Sequence, residues 1–311
     1  MDKCAFLFAG QGSQYIGMGK DLYESFPASR QIFDRAEEVL GFDLKRRVFE
    51  GPQELLRMTS VSQPAILTVS LACYEAFKSS DICPLSSVQY TAGLSLGEYT
   101  ALIAAGSISF KDGILLVRKR GELMEEAATK HPGKMAAVLD LSLDALKEIC
   151  AKTHAEIANL NCPGQVVISG KAEAVDKAME LCVQAQAKRV IPLEVSGGFH
   201  SSLMKEASVE FSKVLDTVEI LPAKIPVVSN YTASVQAQPG EIKANLVAQM
   251  YSSVRWEESM RFMIAEGVSK FYEFGPGKVL KGLARKIDAQ ANVLNIEKRD
   301  DVINLQKDEV K

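Results

Sequence analysis

Two rhythms of apolar and polar residues run along this chain. Short runs rich in apolar and β-branched residues, at Cys4–Phe8, Ser87–Ala92, 225–229 and Lys270–Phe274, predict buried strands. Over 29–40, 62–79, Glu98–Ala105, 110–129, 203–217, 240–250, 256–267 and 278–287 the pattern instead predicts helices with a buried face. Strands alternating with helices favour a mainly parallel sheet, because a parallel strand needs a crossover to reach its neighbour.

The stretch 134–196 has a different order. Met135–Leu139 reads as a strand, and Ser142–Lys152 as a helix with Ser142 as its N-cap. Ala155–Leu160 and Val166–Ser169 read as strands around a Cys162-Pro163-Gly164 turn, followed by a helix at Ala172–Ala185 and a strand at Arg189–Val195. That β-α-β-β-α-β order is ferredoxin-like. The pattern therefore predicts an α/β protein with three parts. A large α/β-hydrolase-like domain with a mainly parallel sheet spans 1–133 and 197–299. A small ferredoxin-like subdomain is inserted at 134–196, and the charged tail 300–311 is expected to fray.

The 311 residues suffice for a large domain plus a small one, and 47% apolar with 24% charged residues is an ordinary globular composition. A net charge of −3 argues against a general nucleic-acid binder, so an acidic partner would need a local basic patch. Six cysteines, at 4, 73, 83, 150, 162 and 182, form no Cys-x-x-Cys pair and suggest buried, reduced thiols rather than a metal site. Cys4–Gly10 is too short and lacks the basic leader of an export signal, and no apolar run is long enough to span a bilayer. The expectation is a cytoplasmic protein with no membrane partner.

Glycines first suggest a nucleotide loop at Gly10-Gln11-Gly12. However, Tyr15 stands where a dinucleotide fingerprint needs its third glycine, and Met18 follows Gly17 where a phosphate loop needs lysine.

Gly93-Leu94-Ser95-Leu96-Gly97 carries more chemistry. It follows a predicted strand and opens a predicted helix, the setting in which a G-x-S-x-G turn pushes its serine out of the backbone. Ser95 is the candidate nucleophile. The chain has three histidines to serve as its base. His131 precedes Pro132-Gly133 at a helix end, and His154 lies inside the small unit. His200 sits at the return from the small unit to the large one, where a cleft would form, and ranks first. No acidic residue declares itself as a third member.

Arg120 is the second signal. At 100° per residue, Leu116, Val117, Leu123, Met124 and Ala127 fall within about 60° of it, so it lies in the middle of an apolar stripe. A buried guanidinium needs a partner. Either a buried acid supplies a structural ion pair, or the arginine is a fork for a substrate carboxylate.

Together with Phe8–Gln14, Gln63-Pro64-Ala65, Gly93–Glu98, Val117–Met124, Asn161–Gly170, Gly198-Phe199-His200-Ser201, Gln249–Trp256 and Phe274–Gly277, these residues resemble the malonyl-CoA:acyl carrier protein transacylases of fatty acid synthesis. The resemblance runs from Phe6 to about Leu283. It implies Ser95 as nucleophile, His200 as base, and the main-chain carbonyl of Gln249 as the group that orients His200. It implies an oxyanion hole from the N–H groups of Gln11 and Leu96, and a carboxylate clamp at Arg120. Gln63 and Met124 would line the pocket, Asn161 would help shape it, and Phe199 would crowd branched acyl groups.

The implied substrates are malonyl-CoA and the phosphopantetheine arm of acyl carrier protein, with no cofactor or metal. Lys188, Arg189, Lys278, Lys281, Arg285 and Lys286 are the candidate basic patch for that carrier. Two positions depart from the family pattern. Leu94 replaces a usual histidine, and Gly198, where alanine is common, is expected to loosen the hinge. A serine thioesterase or hydrolase acting on acyl-CoA is the rival reading, and a non-catalytic carrier-binding relative is the second.

Overall fold

The computed structural model describes residues 3–80 and 82–309. β1 (Cys4–Phe8) and β2 (Val88–Gly93) come first, then β3 (Gly133–Leu139), β4 (Glu156–Cys162), β5 (Gln165–Lys171) and β6 (Arg189–Pro192). β7 (Val227–Val228), β8 (Val235–Gln236), β9 (Lys270–Phe274) and β10 (Asn292–Ile296) follow. The principal sheet has the order β10-β9-β1-β2-β7-β8 and is parallel except for the β7–β8 pair. The second sheet has the order β4-β5-β3-β6 and is antiparallel throughout. The chain is a mixed α/β fold with a mainly parallel main sheet.

β1 lies inside that sheet because its five residues are all buried. The alternation of a strand sends Phe6 and Phe8 to one face, where they meet Tyr74 and Phe274. Ala5 and Leu7 face a separate apolar cluster around Trp256, Met260 and Phe271. The second sheet is covered by the helices Leu143–Thr153 and Ala172–Gln184, which bury Leu146, Ile149, Val175, Ala178 and Cys182. Its far edge is tied to the principal layer by main-chain bonds from Val254 N–H to Ala158 and from Leu160 N–H to Val254.

Several elements differ from the sequence expectation. The helix expected at 62–79 begins at Thr59, and β6 stops at Pro192, although the Leu193 N–H still donates to the Met135 carbonyl at 2.9 Å. β8 and β10 had no clear alternation to announce them. The tail expected to fray is a helix, Arg299–Glu309, whose Val302 is fully buried. Its start is held by carboxylates: Asp301 accepts from the N–H groups of Glu297 and Lys298, and Asp21 from that of Arg299. The hinge is also tighter than expected. A Cβ on Gly198 would stand 2.8 Å from the Gly170 carbonyl oxygen, so glycine here permits close packing rather than slack.

Candidate active site

The polar residues gather at the carboxyl ends of parallel strands, where α/β sheets generally place their sites. β1 runs into Gly10 and Gln11, β2 into Ser95, and β7 into Asn230. Ser95 adopts φ 50°, a left-handed conformation at the tight turn into the helix Gly97–Ala104. The flanking glycines are sterically required. A Cβ on Gly93 would lie 2.0 Å from the Gly97 carbonyl carbon, and one on Gly97 would lie 2.2 Å from the Phe8 carbonyl oxygen. Asn230 holds the turn from the next strand, accepting from Ser95 N–H at 2.6 Å and donating to the Gly93 carbonyl at 2.8 Å.

The turn delivers Ser95 Oγ to His200. Oγ and Nε2 are 2.7 Å apart, and the other ring nitrogen, Nδ1, is 2.8 Å from the main-chain carbonyl of Gln249. A carbonyl only accepts, so Nδ1 carries the proton and Nε2 is left to accept from Ser95. His200 is buried, and its pKa is pushed down to about 4 by desolvation and then by the Arg120 charge. It is a neutral imidazole at physiological pH. His131 and His154 lie elsewhere, at the ends of the helices Phe110–Lys130 and Leu143–Thr153.

Arg120 is 1% exposed on the helix Phe110–Lys130, within the apolar stripe its spacing indicates. Its Nη1 donates to Gln63 Oε1 at 3.0 Å, and its Nη2 donates to both Ser95 Oγ and Gln249 Oε1 at 3.0 Å. Nε has no partner among the described residues. Among the described residues no carboxylate bonds it directly, so the structural ion pair left open by the sequence does not form there. Burial lowers its pKa from the usual arginine range.

A cavity of about 460 Å³ opens in front of Ser95 and His200, lined also by Gln11, Met124, Asn161, Phe199 and Leu94. Asn161 Oδ1 is buried there without a partner among the described residues. Gln63 is buried behind this lining, with Nε2 3.4 Å from Met124 Sδ. The main-chain N–H groups of Gln11 and Leu96 have no acceptor among the described residues. A larger groove of about 860 Å³, beside Lys119, Leu123 and Lys213, is lined by neither Ser95 nor His200. Among the described residues no cluster of side chains could hold a metal, and no helix is long and apolar enough to cross a membrane.

Sequence reasoning missed Glu98 and Asn230. Glu98 is fully buried and accepts from Asn230 N–H, Gln249 Nε2 and Gln236 Nε2. Its signal was a carboxylate in the first turn of an otherwise apolar helix, three residues after the serine. Asn230 was marked only by its place after a strand of the parallel sheet.

A half-buried turn serine bonded to a neutral, carbonyl-oriented histidine defines a serine-dependent acyl-transfer site. The chain belongs to the acyl transferase domain family, which matches residues 5–309. It is 51% identical over 301 residues to the malonyl CoA-acyl carrier protein transacylase of Bacillus subtilis (strain 168), covering 95% of this chain and 94% of that protein. An acyl-carrier-protein-S-malonyltransferase from Bartonella henselae superposes with a TM-score of 0.95 at 38% identity, covering 99% and 100% of the two chains. A malonyl-transacylase solved in complex with its type II PKS acyl-carrier protein gives a TM-score of 0.95 at 37% identity, covering 98% and 99%.

Proposed function

We propose that this chain moves a malonyl group from malonyl-CoA to the phosphopantetheine thiol of an acyl carrier protein, by a ping-pong reaction in type II fatty acid synthesis. Ser95 Oγ attacks the thioester carbonyl while His200 Nε2 takes its proton. The tetrahedral oxyanion rests on the Gln11 and Leu96 N–H groups. The C–S bond then breaks, and coenzyme A leaves with the proton from His200. The carrier thiol gives its proton to His200, attacks the malonyl-Ser95 ester and frees the serine. These steps use only the chain's own groups.

Arg120 carries the proposal. It is a buried cation with no carboxylate partner among the described residues, 3.0 Å from the nucleophile, where the free acid of a malonyl group would lie. Gln63, Met124 and Asn161 shape that pocket, and buried Phe199 limits branching. Leu94 gives the wall an apolar side chain in place of the usual imidazole. The test is Arg120→Ala. Malonyl loading should fall by on the order of 100-fold while discrimination against acetyl-CoA collapses. Unchanged selectivity would defeat the clamp.

Lys278, Lys281, Arg285 and Lys286 are exposed on and just before the helix Val279–Ile287, and Val279 reaches the cavity. We assign the acidic carrier to this face, with exposed Lys188 and Arg189 as its extension. The strand order β4-β5-β3-β6 supports reading 134–196 as a ferredoxin-like insertion in an α/β-hydrolase-like domain. A cytoplasmic setting suits the six free cysteines.

A further inference from the structure

We infer that Glu98 is a positioning residue for malonyl loading: its buried carboxylate fixes the side-chain amide of Gln249 so that Oε1 faces Arg120 and Nε2 faces the Ser95 carbonyl. The inference rests on the transacylase reading above. Glu98 Oε2 accepts from Asn230 N–H at 3.0 Å and Gln249 Nε2 at 2.7 Å, while Oε1 accepts from Gln236 Nε2 at 2.5 Å. Gln236 Oε1 in turn accepts from Asn245 Nδ2 at 2.9 Å. Every group meeting the carboxylate is a donor, which is the environment an anion requires.

An amide can sit two ways around, and Glu98 permits one. Gln249 Nε2 donates to the carboxylate and to the Ser95 carbonyl, the latter at 3.0 Å. Oε1 is therefore left for Arg120 Nη2, also at 3.0 Å. The flipped amide would set oxygen against carboxylate and NH2 against guanidinium, both repulsive in a buried site. Asn230, the same acid's second partner, holds the Ser95 N–H. The carboxylate thus fixes the Gln249 amide and, through it, the guanidinium without touching substrate, while the Ser95 turn keeps its own bonds to the Asn230 side chain. Burial raises the Glu98 pKa to about 7. Of the ionisable groups facing it, Arg120 lowers that value and Tyr99 lies beside it on the same helix.

The test compares Ser95 acylation by malonyl-CoA and by p-nitrophenyl acetate, which has no carboxylate. In Glu98→Gln, malonyl loading should fall on the order of 10- to 100-fold and acetate acylation far less. In an Arg120→Ala background the same change should add little, and Glu98→Asp should recover part of the loss. The unsubstituted protein should lose malonyl loading as pH falls through about 7, with no such limb for the acetate ester. Equal losses with both esters, or additivity with Arg120→Ala, would overturn the assignment. If Glu98→Gln does not fold, isotope-edited infrared spectra of the unsubstituted protein decide. Glu98 should be ionised in mildly alkaline buffer, and a protonated acid there refutes the proposal. A wild-type protein that took no malonyl group would sink the transacylase reading, whereas the infrared titration judges Glu98 alone.

A separate cluster carries a second inference. The geometry points to Cys83 and Cys4 as a thiol pair that hydrogen peroxide oxidises to a disulfide. Their sulfurs lie 3.5 Å apart although 79 residues separate them, and the Ser87 hydroxyl is 3.2 Å from Cys83 and 3.6 Å from Cys4. Cys83 is partly exposed and Cys4 is buried behind it. The Cys4 thiol and Ser87 draw the Cys83 pKa down to about 6, with Tyr272 and Lys270 adding to the effect.

In the first step the Cys83 thiolate attacks a peroxide oxygen. The O–O bond breaks, hydroxide leaves as water after taking a proton, and Cys83 becomes a sulfenic acid. The Cys4 thiol then attacks that sulfur, its proton leaves with the hydroxyl as water, and the S–S bond closes. The two sulfurs lose two electrons and the peroxide gains them.

Peptide mapping of the folded, peroxide-treated protein tests this. A cross-link between the Cys4 and Cys83 peptides, two hydrogens lighter than the separate thiols and absent in Cys83→Ser, is expected. Cys83 over-oxidised to the sulfinic acid with Cys4 still a thiol, or oxidation no faster than at buried Cys73, Cys150, Cys162 and Cys182, would refute it.

Discussion

The Arg120 guanidinium donates to the Ser95 hydroxyl at 3.0 Å, so the cation expected to recognise the substrate bonds the nucleophile directly. That bond occupies an Oγ lone pair and turns the hydroxyl proton toward His200 Nε2, 2.7 Å away. An arriving malonyl carboxylate is a stronger acceptor and competes for the same Nη2. On the proposed function, substrate recognition and release of the nucleophile would be one exchange of hydrogen bonds.

His200 should remain a working base well below the ordinary histidine range. Its pKa, depressed from 6.5 to about 4, keeps Nε2 unprotonated in weakly acidic buffer. Acylation of Ser95 by a neutral ester should therefore stay level through pH 6 and decline only as pH approaches about 4. The stabilisation from burying a neutral ring follows the same sign. It is complete above 6.5 and is lost as pH falls toward about 4. A pH–rate profile with an acid limb centred near 6.5 contradicts this.

Gly97→Ala should damage the site by displacement. The added methyl would stand 2.2 Å from the Phe8 main-chain oxygen, and neither backbone can yield without moving the serine turn or the strand leading to Gln11. We expect a loss of about 1–3 kcal/mol in stability together with near-complete loss of Ser95 acylation. Denaturant unfolding and ester kinetics measure the two effects. A variant as active as the parent would show that the turn is more pliable than this packing allows.

Charge reversal at Lys281 and Arg285 together should weaken malonyl transfer to acyl carrier protein, most strongly at low salt. Transfer to a small thiol should be unaffected, because both residues are exposed on the outer face of the helix Val279–Ile287. Equal losses with both acceptors would place the carrier elsewhere.

The sequence made Ser95, His200 and Arg120 legible because each breaks a pattern: a serine between glycines, a histidine where one unit returns to the other, a charge inside an apolar stripe. Burial of Cys4–Phe8 on both faces likewise followed from its composition. The roles given to Gln249, Gln11 and Leu96 came from family resemblance, since a main-chain carbonyl or N–H leaves no trace in residue type. Glu98 and Asn230 escaped because their hydrogen bond spans 132 residues, and only the folded sheet brings them together. β10 and the helix after it were hidden for a related reason. A parallel edge strand gains its order from β9, and the tail helix from buried Val302 and the carboxylate of Asp21.

The most direct test is the intact mass of the protein after brief mixing with malonyl-CoA, then after addition of phosphopantetheinylated acyl carrier protein. A malonyl adduct is expected that is absent in Ser95→Ala, persists in water and clears onto the carrier. An adduct lost at the same rate with or without the carrier would mean a thioesterase, and would contradict the transferase assignment.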